Sequence, residues 1–359
     1  GDAFVSCPMS NLVIGGSKQI GDISVAYDGL NKYGIRRVKG EAVGFDADKK
    51  TLALADGTTL PYDRLILSPG IDFMLESLPG LASVEARSKV LAAWKAGPES
   101  IALRKQLVDM KDGGVYAIQI PKAPYRCPPG PYERACQVAW YFQQAKPKSK
   151  VLILDANEDV VSKKGLFMKA WNGQFKGVVE YRNNQEIQDV DAKTNTLKMS
   201  FGDDVKADVL NVLPPMRAGN IATQNGLNNS NKRWCQIDWL TYESTAVKNV
   251  HILGDALQIA PAMPKSGHMA NQHAKVCAAA VIALLTGDVV NATPMVANTC
   301  YSFIDDKNVV HVASVHRYDA AQKTMVTVAG SGGLSADANR TEGIFANSWA
   351  RNIWADMLA

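Results

Sequence analysis

No stretch of this chain stays apolar for the roughly 20 residues that a membrane-spanning helix needs. No C-x-x-C-H motif is present to attach haem, and no paired Cys or His clusters have zinc-ligand spacing, so neither a haem of its own nor a metal is expected. Basic residues exceed acidic ones by only four, 39 against 35, and form no dense tract, which argues against a nucleic-acid partner. Repeats and low-complexity segments are lacking. The first residues show no basic segment followed by an apolar core and a small-residue cleavage site, so no secretory signal is visible.

The 359 residues exceed the size at which one core usually stops growing, so two or more domains are expected. A hydrophobic fraction of 47% and a charged fraction of 21% are ordinary for a globular enzyme. The most informative segment runs from Tyr125 to Arg134, between an apolar strand pattern at Val115 to Ile120 and a helix pattern starting at about Tyr132. In a nucleotide-binding βαβ unit that junction is glycine-rich, so that the backbone can approach a pyrophosphate. Here Pro128, Pro129 and Pro131 remove backbone donors, and Cys127 stands at the head of the turn, which suits thiol chemistry. Arg126 and the helix N-terminus predict a stabilised thiolate at Cys127. The alternative is a small buried hydrophobe, the usual fate of a free cysteine. Cys300 has no such electrostatic cue, and Cys136, Cys235 and Cys277 read as structural.

Further along, the pattern predicts strands at Thr51 to Leu54, Tyr62 to Ser68 and Val151 to Leu154. A long helix is predicted from Ser266, its N-cap, to Thr286, with Gly287 as its stop. Strand-like runs at Val309 to Val315 and Thr324 to Val328 belong to a smaller C-terminal unit. Gly330-Ser331-Gly332-Gly333 follows a strand pattern, but no helix-periodic run begins there, so it reads as a loop.

Two segments, Leu60 to Gly70 and Asn249 to Ala256, look like the internal signatures of two-domain flavin disulfide-reductase-like proteins. Cys7 within Phe4 to Gly16, Cys127 in its proline turn, Met263-Pro264-Lys265-Ser266-Gly267 and Asn298-Thr299-Cys300-Tyr301-Ser302 sharpen the likeness. Together they resemble the flavoprotein subunit of flavocytochrome c sulfide dehydrogenase over almost the whole chain.

The resemblance implies an α/β fold with two Rossmann-like domains, one FAD-binding and one NAD-like without a glycine turn, plus a smaller α+β C-terminal domain. The expected boundaries are 1–96 with 216–292 for the FAD domain, 97–215 for the middle domain and 293–359 for a C-terminal cap or interface domain. The first strand, G-x-G-x-x-G turn and helix that hold the ADP half of FAD are not found upstream of Asp2. The expectation is therefore a fragment, short of about thirty or more residues, roughly one βαβ unit.

For the site, the resemblance implies a redox disulfide between Cys127 and Cys300 and a thioether from Cys7 to the flavin. It also implies FAD contacts from Gly254, Asp255, Lys265, Ser266, Gly267 and Trp349. Lys265 and the helix N-terminus would stabilise negative charge on the reduced flavin. Glu133 reads either as a general acid or base for sulfur chemistry or as a dipole partner in the first helical turn. Trp349 and Trp354 either cover the flavin or pack the C-terminal domain. The implied activity is oxidation of sulfide to zero-valent sulfur or polysulfide, with electrons passed to a c-type cytochrome subunit that carries the haem, in the periplasm. Rival readings are a sulfide:quinone oxidoreductase, an NAD(P)H-dependent flavin reductase, and a flavin-free chain that only binds a partner.

Overall fold

The computed structural model describes residues 2–358, which form a mixed α/β molecule. Strand β1 (Ala3–Val5) pairs antiparallel with β2 (Ser24–Ala26), and between them helix α1 (Ser10–Gly15) is buried along its whole length. Strands β3 (Ala42–Asp46), β4 (Thr51–Leu54) and β5 (Thr59–Pro61) make a small antiparallel sheet. The strand expected from Tyr62 to Ser68 forms only over its middle: β5 ends at Pro61, and β6 (Leu65–Leu67) begins after a bend in which Arg64 reaches Glu243 at 3.5 Å. Strand β7 (Ile71–Phe73) and helices α2 (Val84–Lys89) and α3 (Pro98–Asp109) follow.

The middle of the chain is a parallel sheet built from β8 (Val115–Ile120), β9 (Lys150–Asp155), β10 (Val179–Arg182) and β14 (Val209–Val212) in the order β10-β9-β8-β14. Helix α4 (Gly130–Ala145) joins β8 to β9, and α5 (Lys164–Asn172) lies between β9 and β10. An antiparallel excursion of β11 (Ile187–Asp191), β12 (Thr196–Met199) and β13 (Val205–Lys206) precedes β14. β8 and β9 are buried almost throughout, as strands of a parallel sheet covered on both faces must be. In α4, Ala135, Val138, Ala139 and Phe142 recur at helical spacing and are fully buried. Burying Phe142 alone stabilises the fold by about 1.5–3 kcal/mol.

Strand β15 (Met216–Ala218) pairs with β7, helix α6 (Asn220–Gln224) follows, and β16 (Val250–Ile252) lies parallel to β6. Helix α7 (Gly267–Thr286) starts where its cap predicts: Ser266 Oγ accepts from Met269 N at 3.1 Å, and Gly287 closes the helix at φ 78°. Strands β17 (Met295–Phe303), β18 (Val309–Asp319) and β19 (Thr324–Thr327) form an antiparallel sheet, and helix α8 (Arg340–Leu358) packs across it. The segment expected as a loop adds one short strand, β20 (Gly333–Leu334), on β18. Among the described residues no helix is long and apolar enough to cross a membrane.

Candidate active site

One cavity, with about 950 Å³ of empty space counting its mouth, lies where α1, α4, α7, β17 and α8 converge. Cys7, Cys127, Glu133, Asp255, Ser266, Gly267, Cys300 and Trp349 all line it, although they come from segments far apart in the chain. Gly254 and Lys265 are not among its lining residues, although Asp255 and Ser266 beside them are. All six cysteines are unbonded in this structure, and the pair expected to bond, Cys127 and Cys300, lines this same cavity.

The proline turn holds Cys127 in left-handed backbone, φ 58°, a costly conformation for a residue with a Cβ. Two backbone hydrogen bonds fix it there: Cys127 N donates to Lys265 O at 2.8 Å, and Gly130 N donates to Cys127 O at 2.9 Å. Gly130 is glycine for a steric reason. A Cβ at this position would meet Trp94 at 2.7 Å and Cys127 Sγ at 2.8 Å. The thiolate expected at Cys127 from its neighbours is not favoured: burial, Cys300 and Glu133 all push the thiol up, and Arg126 opposes them without prevailing. Arg126 itself is turned over the Trp94 ring, 5.9 Å from its centroid.

Glu133 joins three elements. Its carboxylate accepts from Asn11 Nδ2 and from Phe303 N, each at 2.8 Å. Burial holds its carboxyl above the ordinary range, against those hydrogen bonds and the charges of Lys163 and Arg134. Arg134 is fully buried without a carboxylate in direct contact. It donates to Asn11 Oδ1 at 3.0 Å, Asn211 Oδ1 at 2.8 Å and the carbonyls of Ala92 and Ala93 at 3.0 and 2.6 Å. Asn11 therefore passes the influence of a buried guanidinium to a buried carboxylate.

Lys163, just before α5, was not singled out by sequence, because nothing in its neighbourhood there signals burial. Its ammonium is buried and donates to Cys300 O at 2.7 Å and Ser302 Oγ at 2.8 Å. Burial pushes it down to about 8, against the opposing charges of Cys300 and Glu133. Asn298 and His268 were also missed. The Asn298 amide lies 3.4 Å from Cys300 Sγ, and His268 Nδ1 accepts from Thr299 N at 2.9 Å. Burial lowers the pKa of His268, whose ring meets Trp349 edge-on at 5.7 Å.

On the other side of the cavity, Cys7 Sγ donates to Trp94 O at 3.6 Å. Trp354 Nε1 donates to Ser6 Oγ at 2.9 Å and so ties α8 to the loop that carries Cys7. Trp354 packs the C-terminal segment, whereas Trp349 faces the cavity. Lys265 does not present the cation expected toward the cavity: its ammonium donates back to Asp255 O at 2.9 Å and to Leu257 O, and lies 3.6 Å from the Trp234 ring centroid. Burial lowers it to about 7. Gly254, at φ 70°, allows the close packing of α7, since a Cβ there would lie 3.2 Å from Ala270 Cβ.

These residues fit a flavin. Asp255 faces the cavity with a buried Oδ1 that has no hydrogen-bond partner among the described residues, an acceptor that suits a hydroxyl-bearing chain. The N-terminus of the 20-residue α7 opens onto the same space and favours negative charge there.

The comparisons with known proteins agree. Residues 100–214 match the family described as sulfide dehydrogenase [flavocytochrome c] flavoprotein chain, central. Residues 292–358 match flavocytochrome c sulphide dehydrogenase, flavin-binding, and the two matches together cover just over half of the chain. The chain belongs to the flavoprotein family of flavocytochrome c sulfide dehydrogenase. Membership makes it the flavoprotein chain of an oxidoreductase, and the family supports flavin-dependent sulfide oxidation and implies a cytochrome partner subunit.

Solved structures show the same fold. The sulfide:quinone oxidoreductase of Aquifex aeolicus matches with a TM-score of 0.74 at 15% identity, over 99% of this chain and 83% of that one. Putidaredoxin reductase, in its covalent complex with putidaredoxin, matches with a TM-score of 0.68 at 16% identity, over 98% and 85%. Reduced CoADR-RHD of Bacillus anthracis matches with a TM-score of 0.58 at 12% identity, over 96% and 67%.

Proposed function

We propose that this chain oxidises sulfide at a Cys127–Cys300 disulfide, carries FAD bound covalently through Cys7, and delivers electrons to a c-type cytochrome subunit that holds the haem. The observation that carries the reading is the convergence of both cysteines, Glu133, Asp255 and Cys7 on one cavity. Asp255, with its open acceptor, would hold the hydroxyls of the flavin side chain. Ser266 and Gly267 would face the ring's electronegative edge, Trp349 would cover it, and Gly254 and Lys265 would support Asp255 from behind. Bound there, FAD supplies a two-electron acceptor that can be emptied one electron at a time, as a haem partner requires.

The chain's own residues perform the sulfur chemistry. Hydrosulfide attacks one sulfur of the disulfide and forms a persulfide, while the other sulfur leaves as thiolate. A second hydrosulfide takes the outer sulfur as a hydrogen disulfide anion, the start of a polysulfide chain, and leaves a reduced cysteine pair. Glu133, held above the ordinary carboxylate range, exchanges the protons these steps release or need. The reading places the enzyme in the periplasm, where an oxidising environment keeps such a pair bonded.

Sulfide-dependent reduction of a c-type cytochrome, followed at the haem band, tests the assignment. Electrons delivered to a soluble quinone analogue but not to cytochrome would favour the sulfide:quinone alternative. A denatured wild-type mass heavier than the peptide by one FAD, with that increment lost in Cys7→Ser, is the expected result for the covalent link.

A further inference from the structure

We propose that the Asn298 amide makes Cys300 the sulfur that leaves as thiolate when the disulfide opens, so that Cys127 carries the persulfide. The inference rests on the sulfide-oxidising reading above and assigns the two sulfurs their separate roles.

Asn298 stands two residues before Cys300 on β17, so the two side chains share one face of the strand. Asn298 is 2% exposed, and its orientation is set by a chain of hydrogen bonds. Ser266 Oγ accepts from Met269 N as the cap of α7, which leaves its proton free for Asn298 Oδ1 at 2.6 Å. That pins Oδ1 as an acceptor and leaves the Nδ2 hydrogens to other partners. Both amide atoms lie 3.4 Å from Cys300 Sγ. One amide can thus accept from the neutral thiol through Oδ1 and donate to the thiolate through Nδ2. The second arrangement is charge-assisted and the stronger.

Lys163 adds a cation on the same side, donating to the Cys300 carbonyl at 2.7 Å. Cys127 has different surroundings. Burial, Cys300 and Glu133 oppose its charged form more than Arg126 favours it, and among the described residues no group donates a hydrogen bond to its sulfur, whereas the Asn298 amide stands against the Cys300 sulfur. In thiol–disulfide exchange the sulfur better stabilised as thiolate leaves faster. Hydrosulfide therefore forms its bond to Cys127 Sγ, the Cys127–Cys300 bond breaks, and its electron pair leaves on Cys300 Sγ. The proton of HS⁻ stays on the outer sulfur of the persulfide, and the disulfide is the oxidant of the step.

Two measurements test this. Oxidised protein is mixed anaerobically with one equivalent of hydrosulfide, quenched with iodoacetamide and mapped by peptide mass. The expected result is an extra sulfur on the Cys127 peptide and simple alkylation of Cys300, whereas an extra sulfur on the Cys300 peptide would overturn the assignment while leaving sulfide oxidation intact. If neither peptide gains sulfur and no sulfide is consumed, the sulfide reading fails. The second measurement, made without sulfide, then decides the role of Asn298 alone. In fully reduced protein Cys300 is expected to alkylate faster than Cys127. Asn298→Asp, which keeps the shape and the bond from Ser266 but loses the donor, is expected to slow Cys300 by about tenfold or more and leave Cys127 unchanged. Equal rates for the two wild-type cysteines, or a Cys300 rate unaffected by Asn298→Asp, would overturn the proposal.

Discussion

The two cysteines that face the cavity are held by opposite kinds of structure. Cys127 sits in a strained turn, at φ 58°, stiffened by prolines and packed against Gly130 and Trp94. Cys300 lies in the regular strand β17, paired against Val312 of β18, with the Asn298 amide of its own strand at its sulfur and Lys163 on its carbonyl. The contrast teaches that a charged neighbour in sequence does not by itself set a thiol's surroundings. Arg126 adjoins Cys127, yet burial, Cys300 and Glu133 outweigh it, while Cys300 is met by the amide of Asn298 on its own strand and its carbonyl by Lys163, 137 positions away.

The bluntest way to break the comparison is to remove each sulfur in turn. Cys127→Ser and Cys300→Ser are each expected to reduce sulfide-dependent cytochrome reduction to background while leaving the flavin in place. Substantial activity in either variant would mean that the pair does not act together.

Next in size is Gly130→Ala, whose Cβ would collide with Trp94 and Cys127 Sγ. It is expected to cost about 1–3 kcal/mol of stability and to impair the Cys127 side selectively, read by chemical denaturation and by alkylation of the two cysteines.

A subtler test uses pH. The Lys163 ammonium loses its proton as pH rises through about 8, so support for negative charge near Cys300 is full below that value and fades above it. Activity measured against pH is expected to fall across that range. Lys163→Arg, whose charge persists, should move this alkaline limb upward, and an unmoved limb would remove Lys163 from the account.

The smallest effect is a control away from both cysteines. His273 on α7 is buried against Trp239 and Tyr242 with neither ring nitrogen paired, and burial lowers it from the usual 6.5 to about 3. Protonating it favours the unfolded chain, so its neutral burial costs nothing above about pH 6.5 and progressively more stability as pH falls toward 3. Chemical denaturation of His273→Phe is expected to show a shallower acid loss of stability, with the alkylation order of Cys127 and Cys300 unchanged.

Much of the framework was legible in the sequence. The strand ahead of the proline turn and the α7 cap and stop follow from local propensity and capping, which act over a few residues. Residues that depend on distant approaches were not. Lys163 is buried only because β17 covers it, and Arg134 only because Asn11, Asn211 and two carbonyls enclose it, none of which the local sequence signals. The strand expected from Tyr62 to Ser68 forms only over Leu65–Leu67, because Tyr62 still pairs backward, its N–H donating to Lys50 O at 2.9 Å, and Arg64 reaches Glu243, 179 residues later.

The central claim is that Cys127 and Cys300 form one redox pair across this cavity. The most direct test is a peptide map of the protein as purified, alkylated and digested without reduction. The account predicts a single cross-linked species joining the Cys127 and Cys300 peptides, which disappears when sulfide is added anaerobically. Recovery of both cysteines as separate alkylated thiols from active, oxidised enzyme would contradict it.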